Sequence, residues 1–163
     1  EQTGQTKFQD FYRDERQMAY LYENFVRNFY RREQDDFKVS RENIDWDVVG
    51  DATYLPRMQT DISLASKDRK IIIDTKYHAE VFTSNLGSVK FKSNNLYQIF
   101  AYLKNGEAKG GTNTQAEGML LYPMVDDEVD ADFLIQGHKI KIRTVNLNQD
   151  WKLIHDRLME ILQ

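Results

Sequence analysis

Between residues 11 and 32 the apolar side chains Met18, Tyr22, Phe25, Val26 and Phe29 recur at the three-to-four spacing of one helical face. The spacing predicts a helix. Asp14, Glu15 and Arg16 stand early in it and Arg31 and Arg32 near its end, where the basic pair suits the helix dipole. Residues 33–41 are polar and read as a turn. The period then changes to two. Residues 43–49 alternate, with Ile44, Trp46 and Val48 on one side, and residues 58–64 alternate again, with Met58, Thr60, Ile62 and Leu64 opposite Gln59, Asp61 and Ser63. Gly50-Asp51 and Pro56 punctuate the stretch between them. Residues 65–70 form a polar turn, which predicts a hairpin with the run Ile71-Ile72-Ile73. Three consecutive β-branched residues predict a strand covered on both faces, in the middle of a sheet.

A second helix is predicted over residues 93–104, capped by Ser93 or Asn94 and buried along Leu96, Ile99, Phe100 and Leu103. Residues 105–115 are Gly-rich and polar, a loop. Strands follow at 119–124, 132–135 and 139–145, and then a last helix with Asn148 as its cap and an apolar face of Trp151, Ile154, Leu158, Ile161 and Leu162. The order α, several β, α, β, α predicts an α/β fold, a mixed central sheet flanked by helices. No internal repeat is present.

At 163 residues the chain is the size of one domain, so residues 1–163 are taken as a single unit. No basic segment followed by an apolar stretch opens the chain, so no signal peptide is expected, and residue 1 is Glu, so a trimmed piece of a longer protein is expected. Hydrophobic residues at 40% and charged residues at 29% suit a packed core with a solvated surface. No apolar run approaches the roughly 20 residues of a membrane span, so no membrane partner is expected. The absence of cysteine removes thiolate metal sites, iron–sulfur clusters, disulfides and a cysteine nucleophile together, and it fits a cytoplasmic compartment. A net charge of −4 rules out polyanion binding by bulk charge, so any nucleic-acid contact must come from a local basic patch or a bound metal.

The chemistry concentrates at the end of the isoleucine strand. Residues two apart on a strand share a face, so Asp74 and Lys76 project together. Asp61 lies 13 positions earlier, and hairpin pairing brings it beside Asp74. Two carboxylates and an ammonium on one sheet face make a hard-oxygen site for Mg²⁺ or Mn²⁺. Asp and Lys at strand ends are common surface features. A buried strand, however, seldom ends in charge without a partner. Glu23 borders the buried face of the first helix, and Gln98 and Tyr102 lie four apart on one face of the second. His78, His138 and His155 are scattered and read as surface or packing residues, not as a zinc site.

The segments Leu55-Pro56-Arg57-Met58-Gln59-Thr60-Asp61 and Ile71-Ile72-Ile73-Asp74-Thr75-Lys76-Tyr77 resemble the PD-(D/E)XK nuclease core. With Leu21-Tyr22-Glu23-Asn24-Phe25-Val26 upstream and Tyr97-Gln98-Ile99-Phe100-Ala101-Tyr102 downstream, the chain resembles the nuclease domain of the McrC family, the endonuclease subunits of McrBC modification-dependent restriction systems. The likeness runs from about Tyr20 to Tyr102. It implies a restriction-endonuclease-like core at the C-terminal end of a longer chain, and a bacterial or archaeal source. It implies Mg²⁺ or Mn²⁺ held by Asp61, Asp74, the Thr75 carbonyl and Glu23. Lys76 would act on the attacking water or on phosphate charge, and Gln98 and Tyr102 would position the phosphate or brace the metal site.

The resemblance further implies double-stranded DNA as substrate, an AAA+ GTPase motor subunit as partner, and dimerisation on DNA for double-strand breaks. Lys90, Lys92, Asn94 and Tyr97, with Asn95, Lys104 and Lys109, are the candidate backbone-phosphate contacts. Nothing resembles the family's N-terminal motor-binding region. Gly110-Gly111-Thr112 lacks the Gly-Lys-Ser/Thr of a phosphate loop, so nucleotide hydrolysis is not expected of this chain. Two other readings stand beside this one. The Gln98–Tyr102 pair is also similar to RecB-like and Cas4-like nucleases, which often carry cluster cysteines that this chain lacks. A non-catalytic nuclease-like scaffold would be expected to have lost one of Asp61, Asp74 and Lys76, and all three are present.

Overall fold

The apolar stripe of the first helix needs a surface to cover, and the sheet supplies it. The computed structural model describes residues 2–77, 81–85 and 88–163. Helix α1 runs over Gln2–Glu33, longer at its start than the periodicity predicts, with Arg31 and Arg32 in its last turn. Tyr22, Val26, Phe29 and Tyr30 are buried on its inner face. Among the described residues ten strands follow: β1 (Lys38–Ser40), β2 (Asn43–Ile44), β3 (Met58–Gln59), β4 (Ile62–Ala65), β5 (Lys70–Thr75), β6 (Phe82–Asn85), β7 (Ser88–Phe91), β8 (Glu117–Pro123), β9 (Asp130–Ile135) and β10 (His138–Val145). Helix α2 spans Ser93–Gly106 and α3 spans Trp151–Glu160. Two 3-10 turns occupy most of the loop between α2 and β8.

Six strands form one mixed sheet in the order β1-β4-β5-β8-β10-β9, while β2 with β3 and β6 with β7 make separate two-stranded ribbons. Strand β5 is antiparallel to β4 and parallel to β8, and β8 is parallel to β10. The isoleucine run therefore sits inside the sheet, as its composition predicts. Its side chains divide by the strand's period of two. Ile71 and Ile73 join the core under α1 and α3, whereas Ile72 joins the core under α2. Strand β8 divides in the same way, Met119 and Leu121 on the first face and Leu120 and Tyr122 on the second. Each face of the sheet thus has its own apolar layer. The β9–β10 hairpin turns through Gln136 and Gly137, with φ of 49° and 85°. Positive φ at both central residues matches the twist of the flanking strands, and glycine takes it without strain.

Some local predictions give way to tertiary context. The stretch 33–41 contains β1, which pairs with β4 at the sheet edge. The alternating run 58–64 is interrupted at Thr60 and Asp61: its first half pairs with β2 and its second half with β5. Ser63 is buried between Ile62 and Leu64, since β4 is covered on both faces. Helix α2 begins after Lys92 and α3 after Asp150, both without a side-chain cap, so Asn148 does not cap the last helix. His138 is fully buried, its ring between the Ala116 carbonyl (2.7 Å) and the Glu107 carboxylate (2.6 Å). His78 lies outside the described residues.

Candidate active site

The register of the sheet assembles the acidic centre. In the β4–β5 pairing Ile62 stands opposite Ile73, and one step further along the same register puts Asp61 opposite Asp74. Directly opposed residues of an antiparallel pair project to the same face. The face is that of Ile72, toward α2. Asp61 occupies the bend just before β4, with its Oδ2 accepting from the Thr75 backbone N–H (2.8 Å) and the Thr75 hydroxyl (2.9 Å). These two bonds tie the bend to the end of β5.

Asp74 is 1% exposed. Lys76 Nζ lies 2.7 Å from its Oδ2, yet that oxygen makes no hydrogen bond of acceptable direction. The pair is held by charge. Burial, then the charge of Asp61, push the Asp74 carboxyl up to about 7 against the opposing pull of Lys76. Lys76 also donates to Gln98 Oε1 (2.5 Å), and Gln98 Nε2 donates to the Tyr102 hydroxyl (3.0 Å). Helix α2 therefore fixes the lysine through a side-chain relay, with Gln98 and Tyr102 one turn apart as their spacing requires. Burial raises the pKa of Tyr102, whose ring feels both aspartates.

Helix α1 brings the third carboxyl from the opposite face of the sheet. Glu23 is 12% exposed at its side chain. Burial, together with a hydrogen bond to Asp61 and the charge of Asp61, lifts it to about 7, while Arg41 and Arg27 pull it down. Glu23 and Asp74 thus each lean on Asp61. Among the described residues no three His, Cys, Asp or Glu side chains close into a ready-made metal cage. A cation here would need a backbone oxygen or water besides the carboxylates. The donor set nevertheless fits a hard divalent ion: oxygen ligands only, an Asp74 carboxyl whose charged form is disfavoured by burial and by Asp61, and an oxygen on it without a hydrogen bond.

Two basic residues at the centre escape a reading of the sequence. Arg27, buried, donates to the Asp61 carbonyl (3.0 Å) and to Asn24 Oδ1, and lies 3.6 Å from Glu23. Arg41 lies 3.7 Å from Glu23. The only sequence signal for Arg27 is its position one turn after Glu23, which reads as an ordinary surface pair. Arg41 carries no signal, because the strand that delivers it looks like a turn.

Of the expected DNA contacts, those at the start of α2 lie on the helix that carries Gln98 and Tyr102. Asn94 is exposed one helical turn before Gln98, Tyr97 is 69% exposed, Lys90 is exposed and Lys92 half-buried. Lys104 is paired with Glu107 (2.7 Å), and Lys109 lies 3.8 Å from Asp45.

A mixed sheet flanked by helices, with opposed aspartates and a lysine at the ends of adjacent strands, is compatible with a nuclease-like core. The family model for the McrBC 5-methylcytosine restriction system component matches residues 16–123, and the chain belongs to that family. Over 162 residues it is 39% identical to the Type IV methyl-directed restriction enzyme EcoKMcrBC of Escherichia coli (strain K12). The match covers 97% of this chain and 46% of that protein, so the chain spans about half the length of its relative. No described helix is long and apolar enough to cross a membrane.

Proposed function

We propose that this chain is the Mg²⁺-dependent DNA endonuclease part of a modification-dependent restriction system in the cytoplasm, cutting DNA delivered by a GTP-driven AAA+ motor subunit. The observation that carries the reading is the opposition of Asp61 and Asp74, with an unsatisfied oxygen on Asp74 and Lys76 held beside it. Family membership supports the restriction role. The similar Escherichia coli protein is named as a methyl-directed restriction enzyme, which supports DNA as the substrate.

Asp61 and Asp74 would hold the ion, with the Thr75 carbonyl and Glu23 completing its oxygen ligands. Once bound, Mg²⁺ (or Mn²⁺) supplies Lewis-acid stabilisation of phosphate charge and a more acidic water. The protein's own part is positional and electrostatic. The Thr75 bonds fix one Asp61 oxygen. Lys76, oriented by Gln98, holds a positive charge where charge builds on the phosphoryl oxygens. Its place between a carboxylate and an amide oxygen suits the role of a charge stabiliser. Asn94 and Tyr97 at the start of α2, with Lys92 just before it and Lys90 on the adjoining ribbon, would contact backbone phosphates and set the register of the strand. Reading of the methylated base is left to the motor subunit, and a double-strand break takes two such centres, hence two copies on DNA.

The test is cleavage of methylated plasmid by the full-length protein with its motor, GTP and Mg²⁺. Asp74→Ala is expected to abolish cleavage and the calorimetric Mg²⁺ signal together. Lys76→Ala is expected to keep Mg²⁺ binding and lose cleavage by roughly 10²–10³-fold, the size of one lost transition-state charge contact. Undiminished cleavage by Asp74→Ala would reject the reading.

A further inference from the structure

We infer that Arg41 is a phosphate-binding residue at the mouth of this site, gripping the DNA backbone from the side opposite α2. The inference rests on the nuclease reading and adds to it a substrate contact from β1, the edge strand.

The register places Arg41. Ser40 pairs with Ser63, so the next residue of that chain comes level with Ile62, and Arg41 emerges beside the bend that carries Asp61. The other cations of the centre are committed. Lys76 is held by Asp74 and Gln98, and Arg27, 7% exposed at its side chain, is held by the Asp61 carbonyl and Asn24. Arg41 differs on each count. Its side chain is 37% exposed. Among the described residues its one side-chain hydrogen bond, from Nε to the Thr60 carbonyl, is 3.5 Å long, at the outer limit for such a bond. Its Nη2 stands 3.7 Å from Glu23, a charge contact without a hydrogen bond. Among the described residues most of the five guanidinium donors are therefore unused, at a site where Glu23 and Asp74 each adjoin Asp61. Its charge is felt by Tyr102 on α2 as well as by Glu23 on α1, so the guanidinium lies within electrostatic range of both helices that frame the centre.

A phosphodiester entering this site brings negative charge toward carboxylates. A fork of planar donors at the rim matches two phosphate oxygens and offsets that repulsion, which a flexible ammonium does less well. The weak anchoring suits such a role: Thr60 and Glu23 aim the side chain without saturating it.

The experiment uses the full-length protein with its motor subunit and methylated duplex DNA. Arg41→Ala is expected to lower kcat/KM by roughly 10–100-fold, the range of one charge-assisted hydrogen bond, mostly through KM. Arg41→Lys is expected to recover part of that loss. The slope of log affinity against log salt, read on DNA binding, is expected to fall by about 0.9 in Arg41→Ala, one phosphate contact. Melting temperature should be unchanged and Mg²⁺ affinity no weaker, because a cation next to Glu23 has been removed. Wild-type salt dependence in Arg41→Ala would overturn the inference, as would a parallel loss of Mg²⁺ affinity or of thermal stability. The salt slope is read without cleavage. It therefore decides the role of Arg41 even where Asp74→Ala leaves cleavage intact, a result that rejects the nuclease reading alone.

Discussion

Asp74 is at once the most buried charge at the site and the least satisfied. Its carboxyl sits at about 7 in the fold against 3.8 for the free side chain, raised first by burial and then by Asp61. A group whose folded pKa is raised contributes stability that is complete below the unfolded value and is lost as pH rises through the folded value. The metal-free protein is therefore expected to lose stability between about pH 4 and 7 relative to Asp74→Asn, in which the titrating carboxyl is gone. Differential melting of the two proteins across this window checks it, each kcal/mol appearing as about 2–4 °C at this chain length. Mg²⁺ is expected to restore the wild type above pH 7 and to leave Asp74→Asn nearly unmoved. Parallel melting profiles would contradict this account of Asp74. Asp74 and Lys76 are legible in the sequence because the strand period puts them on one face, Asp61 because the hairpin brings it beside them, and Gln98 and Tyr102 because their helical spacing is joined by the family resemblance. Arg27 and Arg41 are not, because their partners come from other elements: a carbonyl 34 residues away for one, a carboxylate on α1 for the other.

Helix α2 owes its position to one missing side chain. A Cβ on Gly118 would lie 2.8 Å from Ile99 Cγ1 and 2.9 Å from Leu103 Cδ1, so α2 packs directly against the backbone of β8. Ile99 follows Gln98, which links this contact to the orientation of Lys76. Gly118→Ala is expected to cost about 1–3 kcal/mol by overpacking, read as a lowered melting temperature, and to reduce cleavage in the same variant. Unchanged melting would show that α2 accommodates the methyl group without moving. At this scale the sequence carries the elements with strong periods. The buried isoleucine strand, its hairpin with β4, and α2 all follow from pattern alone. The short edge strand β1 and the break at Asp61 do not. Three residues are too few to show a period, and Thr60 is turned from its strand by pairing with Glu42, whose N–H reaches its hydroxyl (3.0 Å) and whose carbonyl accepts its N–H (2.8 Å). That break is what frees the Asp61 carboxylate to reach Thr75.

Across the whole molecule, one sheet separates two apolar layers, and the acidic centre lies where the strand ends meet α1 from one face and α2 from the other. On the proposed function, a chain of net charge −4 would meet a polyanion through local basic side chains, at the start of α2 and just past β1, with Asp74 lying deeper. The mixed α/β architecture is legible from the order of the elements. The strand order is not, because it depends on which apolar faces the helices cover. The central claim is that Asp61 and Asp74 jointly hold a divalent cation, and a crystal soaked in Mn²⁺ tests it through the metal's anomalous signal. The account expects a peak between the two carboxylates, within ligand distance of both, and its disappearance in Asp74→Ala. Manganese bound away from these side chains, or the same peak in Asp74→Ala, would contradict it.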